Sequence, residues 1–373
     1  MPDAPPKIQS LSLENFTAFE KASFDFCPGI NVLIGANATG KSHVMKIIYT
    51  LLKLYEIARQ DQGLVRGGFE DEVYNNIPEI FGLNSPTELV RHNQEEETWI
   101  SLDWEDRKIV IGMNRENDDV FLLNEDVFLK AAEVLSNPVP AVYLPAQEFL
   151  SINQGFIAAY RKRELPYDET YYDLSLALNA LPLRKDNLAE VQHITTFLRK
   201  IIAGEQTEEN EVVTQENGHF KFSLPEGELD VHLVAEGYRK IATLYYLLRN
   251  GSLTKDSILF WDEPEANLNP NLIVEVAKVL RMLAAAGMQI FITTHDYLLS
   301  HELSLLAEYP SEAGVDLRFF ALYKPDRKAG VLVETGQTLA EIEHNPILEE
   351  FAAHYDREST LFQQSEPMAE PGP

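Results

Sequence analysis

Gly35-Ala36-Asn37-Ala38-Thr39-Gly40-Lys41-Ser42 matches the pattern G-x-x-x-x-G-K-[ST] at every fixed position. Its context gives the pattern a mechanism. Ile30-Asn31-Val32-Leu33-Ile34 before it is a short apolar, β-rich run, and Val44, Ile47, Ile48, Leu51, Leu52 and Tyr55 after it recur at helical spacing. Strand, loop and helix in that order build a cradle for nucleotide phosphates. Gly35 and Gly40 let the backbone turn tightly enough for successive N–H groups to converge, and the positive end of the helix lies beneath them. Lys41 adds a point charge for the β- and γ-phosphates, and the Ser42 hydroxyl offers a ligand to Mg2+.

A phosphate cradle needs a carboxylate across the site to complete the magnesium shell. Ile258-Leu259-Phe260-Trp261 is an apolar strand that ends in Asp262-Glu263. Asp262 is the expected magnesium acid, and Glu263 beside it is placed to polarise an attacking water as general base. Ala141–Leu144 and Gln289–Thr293 are further short strands, and a helix is expected from about Pro270 to Ala286. Strands alternating with helices imply an α/β fold, a sheet with helices on its faces.

Asp262-Glu263-Pro264-Glu265-Ala266-Asn267-Leu268-Asn269-Pro270 resembles the Walker B and D-loop run of ABC-type ATPases, in particular their soluble SMC-like and OLD-like branch. Ile290-Phe291-Ile292-Thr293-Thr294-His295-Asp296 is similar to the next strand of that superfamily and its switch histidine. The resemblance implies a P-loop NTPase with an ABC-ATPase-type mixed sheet plus inserted α+β and helical lobes. It implies ATP and Mg2+ as cofactors, and hydrolysis of ATP to ADP and phosphate. By the same resemblance His295 contacts the γ-phosphate, Asn267, Leu268 and Asn269 form the D-loop, and Gln147 touches Mg2+ and the attacking water. Gln147 is taken from Val142-Tyr143-Leu144-Pro145-Ala146-Gln147, which is similar to the Q-loop segment.

Ala235, Glu236 and Gly237 occupy the signature position, where such ATPases usually carry Ser-x-Gly. Gly237 fits, but Ala235 stands where a serine hydroxyl meets the γ-phosphate of the other protomer. The implied turnover is therefore low, while the backbone N–H groups of the helix start are still able to serve a phosphate. Phe16 and Phe19 are candidates to stack on adenine, weighed against a place in the core.

Length and charge bound the rest. The chain has 373 residues with 31 basic and 59 acidic side chains, a net charge of −28, and 45% hydrophobic residues. That composition describes a folded acidic protein rather than a disordered acidic tail. Cys27 is the only cysteine, which excludes an intramolecular disulfide framework and a Cys-rich zinc site. Met1 to Pro6 lack a basic or apolar leader, and no apolar run reaches the roughly 20 residues that span a bilayer. The expectation is a cytoplasmic protein with no membrane partner.

The expected organisation is an ATPase core from 1–57 and 228–345, joined by a Q-loop strand at 141–149. An α+β lobe is expected over 58–140, with strands at Trp99–Trp104 and Lys108–Met113 around the turn Glu105-Asp106-Arg107. A helical signature lobe follows over 150–227, broken at Pro166 and Pro182, and a C-terminal helix with a disordered tail over 346–373. No long heptad arm lies between Lys41 and Asp262. The expectation from the residues that follow His295 is that the acidic nuclease domain carried there by OLD-type enzymes is not part of this fold.

Three functions are compatible with these residues. The first is a stand-alone ATPase switch, an ATP-dependent homodimer that controls a separately encoded protein effector such as a nuclease or toxin. The resemblance places such switches in bacterial defence. The second is a DNA-repair ATPase of the recombination-mediator type that clamps DNA, and the third a non-hydrolysing nucleotide-dependent scaffold. A DNA clamp gains most of its affinity from Lys and Arg. The only basic cluster is Arg161-Lys162-Arg163, which reads as a helix face or a salt-bridged lobe, so charge disfavours nucleic acid. Glu95-Glu96-Glu97, Asp118-Asp119 and Glu208-Glu209 read as solvated loops.

Overall fold

Ile30–Gly35 is buried at every position, as a strand enclosed on both faces must be. A computed structural model describes residues 7–60, 68–92, 97–104, 107–123, 139–180, 191–204, 211–309, 314–326 and 329–365. In it this strand, β3, lies inside a six-stranded sheet. Its neighbours are β12 (Gln289–Thr294) and β13 (Leu317–Tyr323), both parallel to it. β11 (Ile258–Asp262) and β7 (Ala141–Leu144) continue the parallel run beyond β12, while β14 (Leu332–Gly336) closes the other edge antiparallel to β13.

Alternate side chains of this sheet feed two cores. Val32 and Ile34 join Ile290, Ile292, Leu259 and Trp261 under α6 (Glu236–Asn250), α7 (Pro270–Ala285) and α8 (Tyr297–Glu308). Leu33 faces the other way with Phe260, Phe291 and Phe320, against α1 (Lys41–Gln60). The strand pair β1 (Ile8–Phe16) and β2 (Phe19–Asp25) covers that second core.

The lobe expected over 58–140 does not stand apart. β4 (Glu97–Trp104) pairs with β1, setting Leu102 opposite Leu11 and Ile100 opposite Leu13. With β5 (Arg107–Asn114) and β6 (Asp119–Leu122) it makes one five-stranded antiparallel sheet with β1 and β2. Pairing satisfies the free edge of β1 and extends its apolar face over α1 and α2 (Gly68–Phe81), which is why the 57/58 boundary is not a structural one. Between β7 and α6 lie α3 (Phe156–Arg161), α4 (Glu169–Leu178), α5 (Gln192–Ala203) and a three-stranded sheet of β8 (Val213–Glu216), β9 (His219–Leu224) and β10 (Gly227–Asp230). The chain ends in α9 (Pro346–Ser365). Pro182, Glu208-Glu209, Glu95-Glu96, Glu105-Asp106, Met1 to Pro6 and the tail 366–373 lie outside the described residues. Among the described residues no helix is long and apolar enough to cross a membrane.

Candidate active site

The loop between β3 and α1 is held open by two glycines in conformations other residues avoid. Gly35 has φ +153° and Gly40 φ +90°. A Cβ on Gly35 would fall 2.5 Å from the Leu322 carbonyl oxygen, and one on Gly40 2.8 Å from Cε2 of Phe19. Ala36, Asn37 and Ala38 are exposed at the mouth, and Ala38 itself takes φ +61°. Thr39 is buried, and its hydroxyl donates to the Ala36 carbonyl at 2.9 Å. Lys41 is buried and its ammonium donates to the carbonyls of Gly35 at 2.8 Å and Ala36 at 3.0 Å. Burial lowers its pKa, while the charges of Glu263 and Asp262 oppose that shift.

Ser42, on the first turn of α1, donates through Oγ to Asp262 Oδ1 at 3.1 Å. The Thr293 hydroxyl donates to the same oxygen, and the Tyr143 hydroxyl reaches Asp262 Oδ2 at 3.4 Å. The acid is thus fixed by neighbours on β12 and β7. Glu263 follows at φ +45°, held by its N–H to the Thr293 carbonyl at 3.2 Å. Its Oε1 lies 3.3 Å from Nδ1 of His295, a half-exposed side chain. The structure therefore brings Lys41, Ser42, Asp262, Glu263 and His295 to one end of the parallel strands. Gln147 is exposed on the loop after β7, beside Lys240 and Trp261. No hydrogen bond ties its side chain to Ser42 or Asp262 among the described residues.

Ala235 caps α6 with φ −58° and ψ 142° and contributes no side-chain hydrogen bond to the first turn. It is exposed, whereas Gly237 is buried under Asn267 and Leu268. A Cβ there would lie 2.9 Å from Cδ2 of Leu268 and 3.3 Å from Leu272, so this glycine serves close packing. Asn267, at φ +63°, donates to Glu236 Oε1 at 2.7 Å. Asn269 caps α7, its Oδ1 accepting from the Leu272 N–H at 3.0 Å.

Three residues escaped the sequence reading. Lys240 is 4% exposed, and its ammonium donates to the carbonyls of Glu263 at 2.9 Å and Ala266 at 3.1 Å. Burial lowers its pKa to about 8. The available signal was its position on the apolar stripe of α6, in phase with Leu244 and Leu247. Arg239 pairs with the buried Glu148 at 2.9 Å and donates to the Val234 carbonyl at 2.9 Å, which ties the segment after β7 to the start of α6. Glu265 is buried, accepts from the Thr294 hydroxyl at 2.6 Å, and leaves Oε2 without a hydrogen-bond partner. Burial raises its pKa. Phe16 and Phe19 are fully buried, so neither offers a ring face to adenine.

Comparison with known proteins adds three kinds of likeness. Residues 30–300 match the family described as AAA domain, putative AbiEii toxin, type IV TA system. The DNA replication and repair protein RecF of Staphylococcus haemolyticus is 26% identical over 270 residues, which is 71% of this chain and 68% of that protein. RecF of Lactococcus lactis subsp. cremoris is 23% identical over 203 residues, 52% of this chain and 54% of that protein. The chain thus spans about two thirds of the first and about half of the second. Among solved structures, the SmcHead bound to the C-winged helix domain of ScpA superposes with a TM-score of 0.50 at 13% identity, over 90% of this chain and 98% of that one. The expected α/β fold with a mixed parallel and antiparallel sheet is the observed one, and it is shared with SMC head domains.

Proposed function

We propose that this chain, which belongs to the family described as AAA domain, putative AbiEii toxin, type IV TA system, and is an ABC-type P-loop ATPase of the SMC-like branch, works as a nucleotide-driven dimerisation switch for a partner protein. The observation that carries the reading is a division of the exposed surface. Ala36, Asn37 and Ala38 at the cradle mouth are exposed, and so is Ala235 at the start of α6. A second protomer set head to tail brings the exposed helix start of one chain to the exposed cradle of the other. The N–H groups of that first turn then meet the γ-phosphate without a side chain.

The residues present fit ATP and Mg2+. Gly35 to Ser42 supply the convergent backbone and the Lys41 charge, and Ser42 with Asp262 already places a hydroxyl and a carboxylate 3.1 Å apart. Mg2+, when bound there, neutralises charge on the β- and γ-phosphate oxygens. Lys41 exchanges its two carbonyl partners for phosphate oxygens. Glu263 accepts the proton of the attacking water, and His295 beside it orients that carboxylate and senses the γ-phosphate. Ala235 sets a low turnover, which suits a switch that persists in its dimeric form.

The family description names toxin–antitoxin systems, and this supports a separately encoded effector in bacterial defence as the partner. RecF relatives, named for DNA replication and repair, support the alternative of a DNA clamp. A net charge of −28 favours the first reading over the second. The test is the mass of the protein with ATP and Mg2+: a dimer supports the switch, and a monomer at every nucleotide concentration overturns it.

A further inference from the structure

Glu265 is a buried acid that no step of the proposed chemistry uses. It is 6% exposed, and its Oε1 accepts from the Thr294 hydroxyl at 2.6 Å and from the His295 N–H at 3.4 Å. Oε2 is also out of contact with water and has no hydrogen-bond partner. A carboxylate placed so costs more to bury than an amide or an apolar side chain in the same space. Its two donors show what holds it there: both belong to the chain just before the His295 ring.

The loops that leave β11 and β12 are pinned to each other at three levels. The Glu263 N–H donates to the Thr293 carbonyl at 3.2 Å and to its hydroxyl at 3.1 Å. Thr294 and the His295 N–H are held by the Glu265 carboxylate. Outermost is the contact of His295 Nδ1 with Glu263 Oε1 at 3.3 Å, between side chains 50% and 31% exposed. An ion pair that open to water holds little by itself. Its geometry is therefore inherited from the buried levels beneath it. The Thr294 hydroxyl also accepts from the Asp296 N–H at 3.0 Å, and Asp296 caps α8 through the Leu299 N–H at 2.8 Å, so the same acid sets how the chain passes from His295 into that helix.

The main chain of Glu265 is set from the other side. Its carbonyl accepts from the Leu268 N–H at 2.9 Å, and the Glu263 carbonyl accepts from the Ala266 N–H at 3.0 Å. Lys240 on α6 holds the carbonyls of Glu263 and Ala266, and Glu236 at the start of the same helix accepts from Asn267 at 2.7 Å. The turn 266–269 is thus latched to α6, the helix whose exposed start faces the second protomer in the proposed dimer. A displacement of α6 reaches the backbone of Glu265 directly, and through its carboxylate reaches His295.

We propose that Glu265 is a positioning residue of the candidate active site: its carboxylate holds Thr294 and the His295 N–H so that the His295 ring meets Glu263, and it makes that contact follow the turn 266–269. The kinetic consequence rests on the reading of Glu263 and His295 as the groups that handle the attacking water, while the geometry does not. Proton–nitrogen NMR spectra of the histidine rings in the full chain, without nucleotide, test the geometry, with the His295 signal identified by its loss in His295→Gln. Glu263→Ala and Glu265→Ala are expected to move that signal in the same direction. Thr294→Val, which removes one donor and keeps the acid, moves it part of the way, and Glu265→Gln leaves it nearly in place because the amide oxygen accepts the same bonds. Glu236→Ala, which releases the turn from α6, moves the signal when Glu265 is present and adds nothing to Glu265→Ala. Phosphate release tests the consequence: Glu265→Ala is expected to lower kcat about tenfold or more with the KM for ATP unchanged, and Glu265→Gln to recover most of the rate. An unmoved His295 signal in Glu265→Ala, or an equal shift in Glu265→Gln, overturns the positioning; an acid that only stabilises the fold lowers the Tm and leaves the signal where it was. Where Glu265→Ala fails to fold, an unmoved signal in Thr294→Val overturns it equally. A Glu236→Ala shift that survives in the Glu265→Ala background overturns the coupling to the turn. A wild type that releases no phosphate while the signal moves as expected refutes hydrolysis by this pair and supports the positioning.

Discussion

Ser42 Oγ donates to Asp262 Oδ1 at 3.1 Å across 220 positions of sequence. The contact joins the first turn of the cradle helix to the end of the strand two places away in the sheet, and Thr293 holds the same carboxylate oxygen from between them. The two groups that would share Mg2+ are therefore brought together by the sheet itself. Preorganisation of this kind removes the cost of gathering ligands at the moment of binding.

Lys41 tests the cradle. Its ammonium rests on two loop carbonyls at an open mouth, so water can replace it there when it is removed. Lys41→Ala is expected to weaken ATP binding at least about tenfold, the loss of one charge-assisted contact, with little change in the Tm of the free protein. Calorimetric titration with ATP checks the first outcome and a thermal melt the second. Unchanged affinity contradicts the assignment.

Ala235 tests the composite site. In the proposed dimer a hydroxyl introduced by Ala235→Ser would meet the γ-phosphate bound by the partner protomer, and one such transition-state hydrogen bond is worth about a hundredfold or more in rate. Steady-state phosphate release is expected to rise, with little change in the KM for ATP. If kcat is unmoved, only the backbone of the α6 start serves the phosphate.

Lys240 ties the start of α6 to the main chain on both sides of Pro264-Glu265, and its burial makes the tie pH-dependent. Its pKa of about 8 in the folded chain lies below the ordinary 10.5. Between those values the unfolded chain binds the extra proton, so this residue's contribution to stability rises with pH from about 8 to 10.5. Denaturant midpoints of wild type minus Lys240→Met are expected to increase across that window. A flat difference contradicts the buried, desolvated ammonium. Glu263 loses the brace on its carbonyl in the same variant, and a fall in kcat of about tenfold or more is expected.

Arg239 and Glu148 test the link between the segment after β7 and α6. The Glu148 side chain is 3% exposed, so Arg239→Ala strands a buried carboxylate, at a cost of about 3–5 kcal/mol. Equilibrium unfolding should show that loss, and Glu148→Gln on top of Arg239→Ala should recover part of it. Additive losses from the two changes would mean that the pair is not coupled.

The elements around the nucleotide site were legible because their chemistry is local. Gly35, Gly40, Lys41 and Ser42 lie within one loop, and Asp262 and Glu263 end an unbroken apolar strand. Strand partnership was not legible. β4 carries the alternation of any half-buried strand, and nothing in Trp99–Trp104 says that its partner is β1 rather than a strand of its own lobe. Lys240 showed only its place on the apolar stripe of its helix, for a related reason: its partners are main-chain carbonyls, which every residue has. The basic run at Arg161 was visible, but its lack of carboxylate partners among the described residues depends on the fold around α3 and α4.

The most direct test of the switch is the mass of the Glu263→Gln protein by light scattering, with and without ATP and Mg2+. This variant retains the cradle and the Ser42–Asp262 pair but lacks the base that would end the bound state. The account predicts a shift from the 42.3 kDa monomer to twice that mass, dependent on ATP and abolished by adding Lys41→Ala. A monomer at saturating ATP would contradict it.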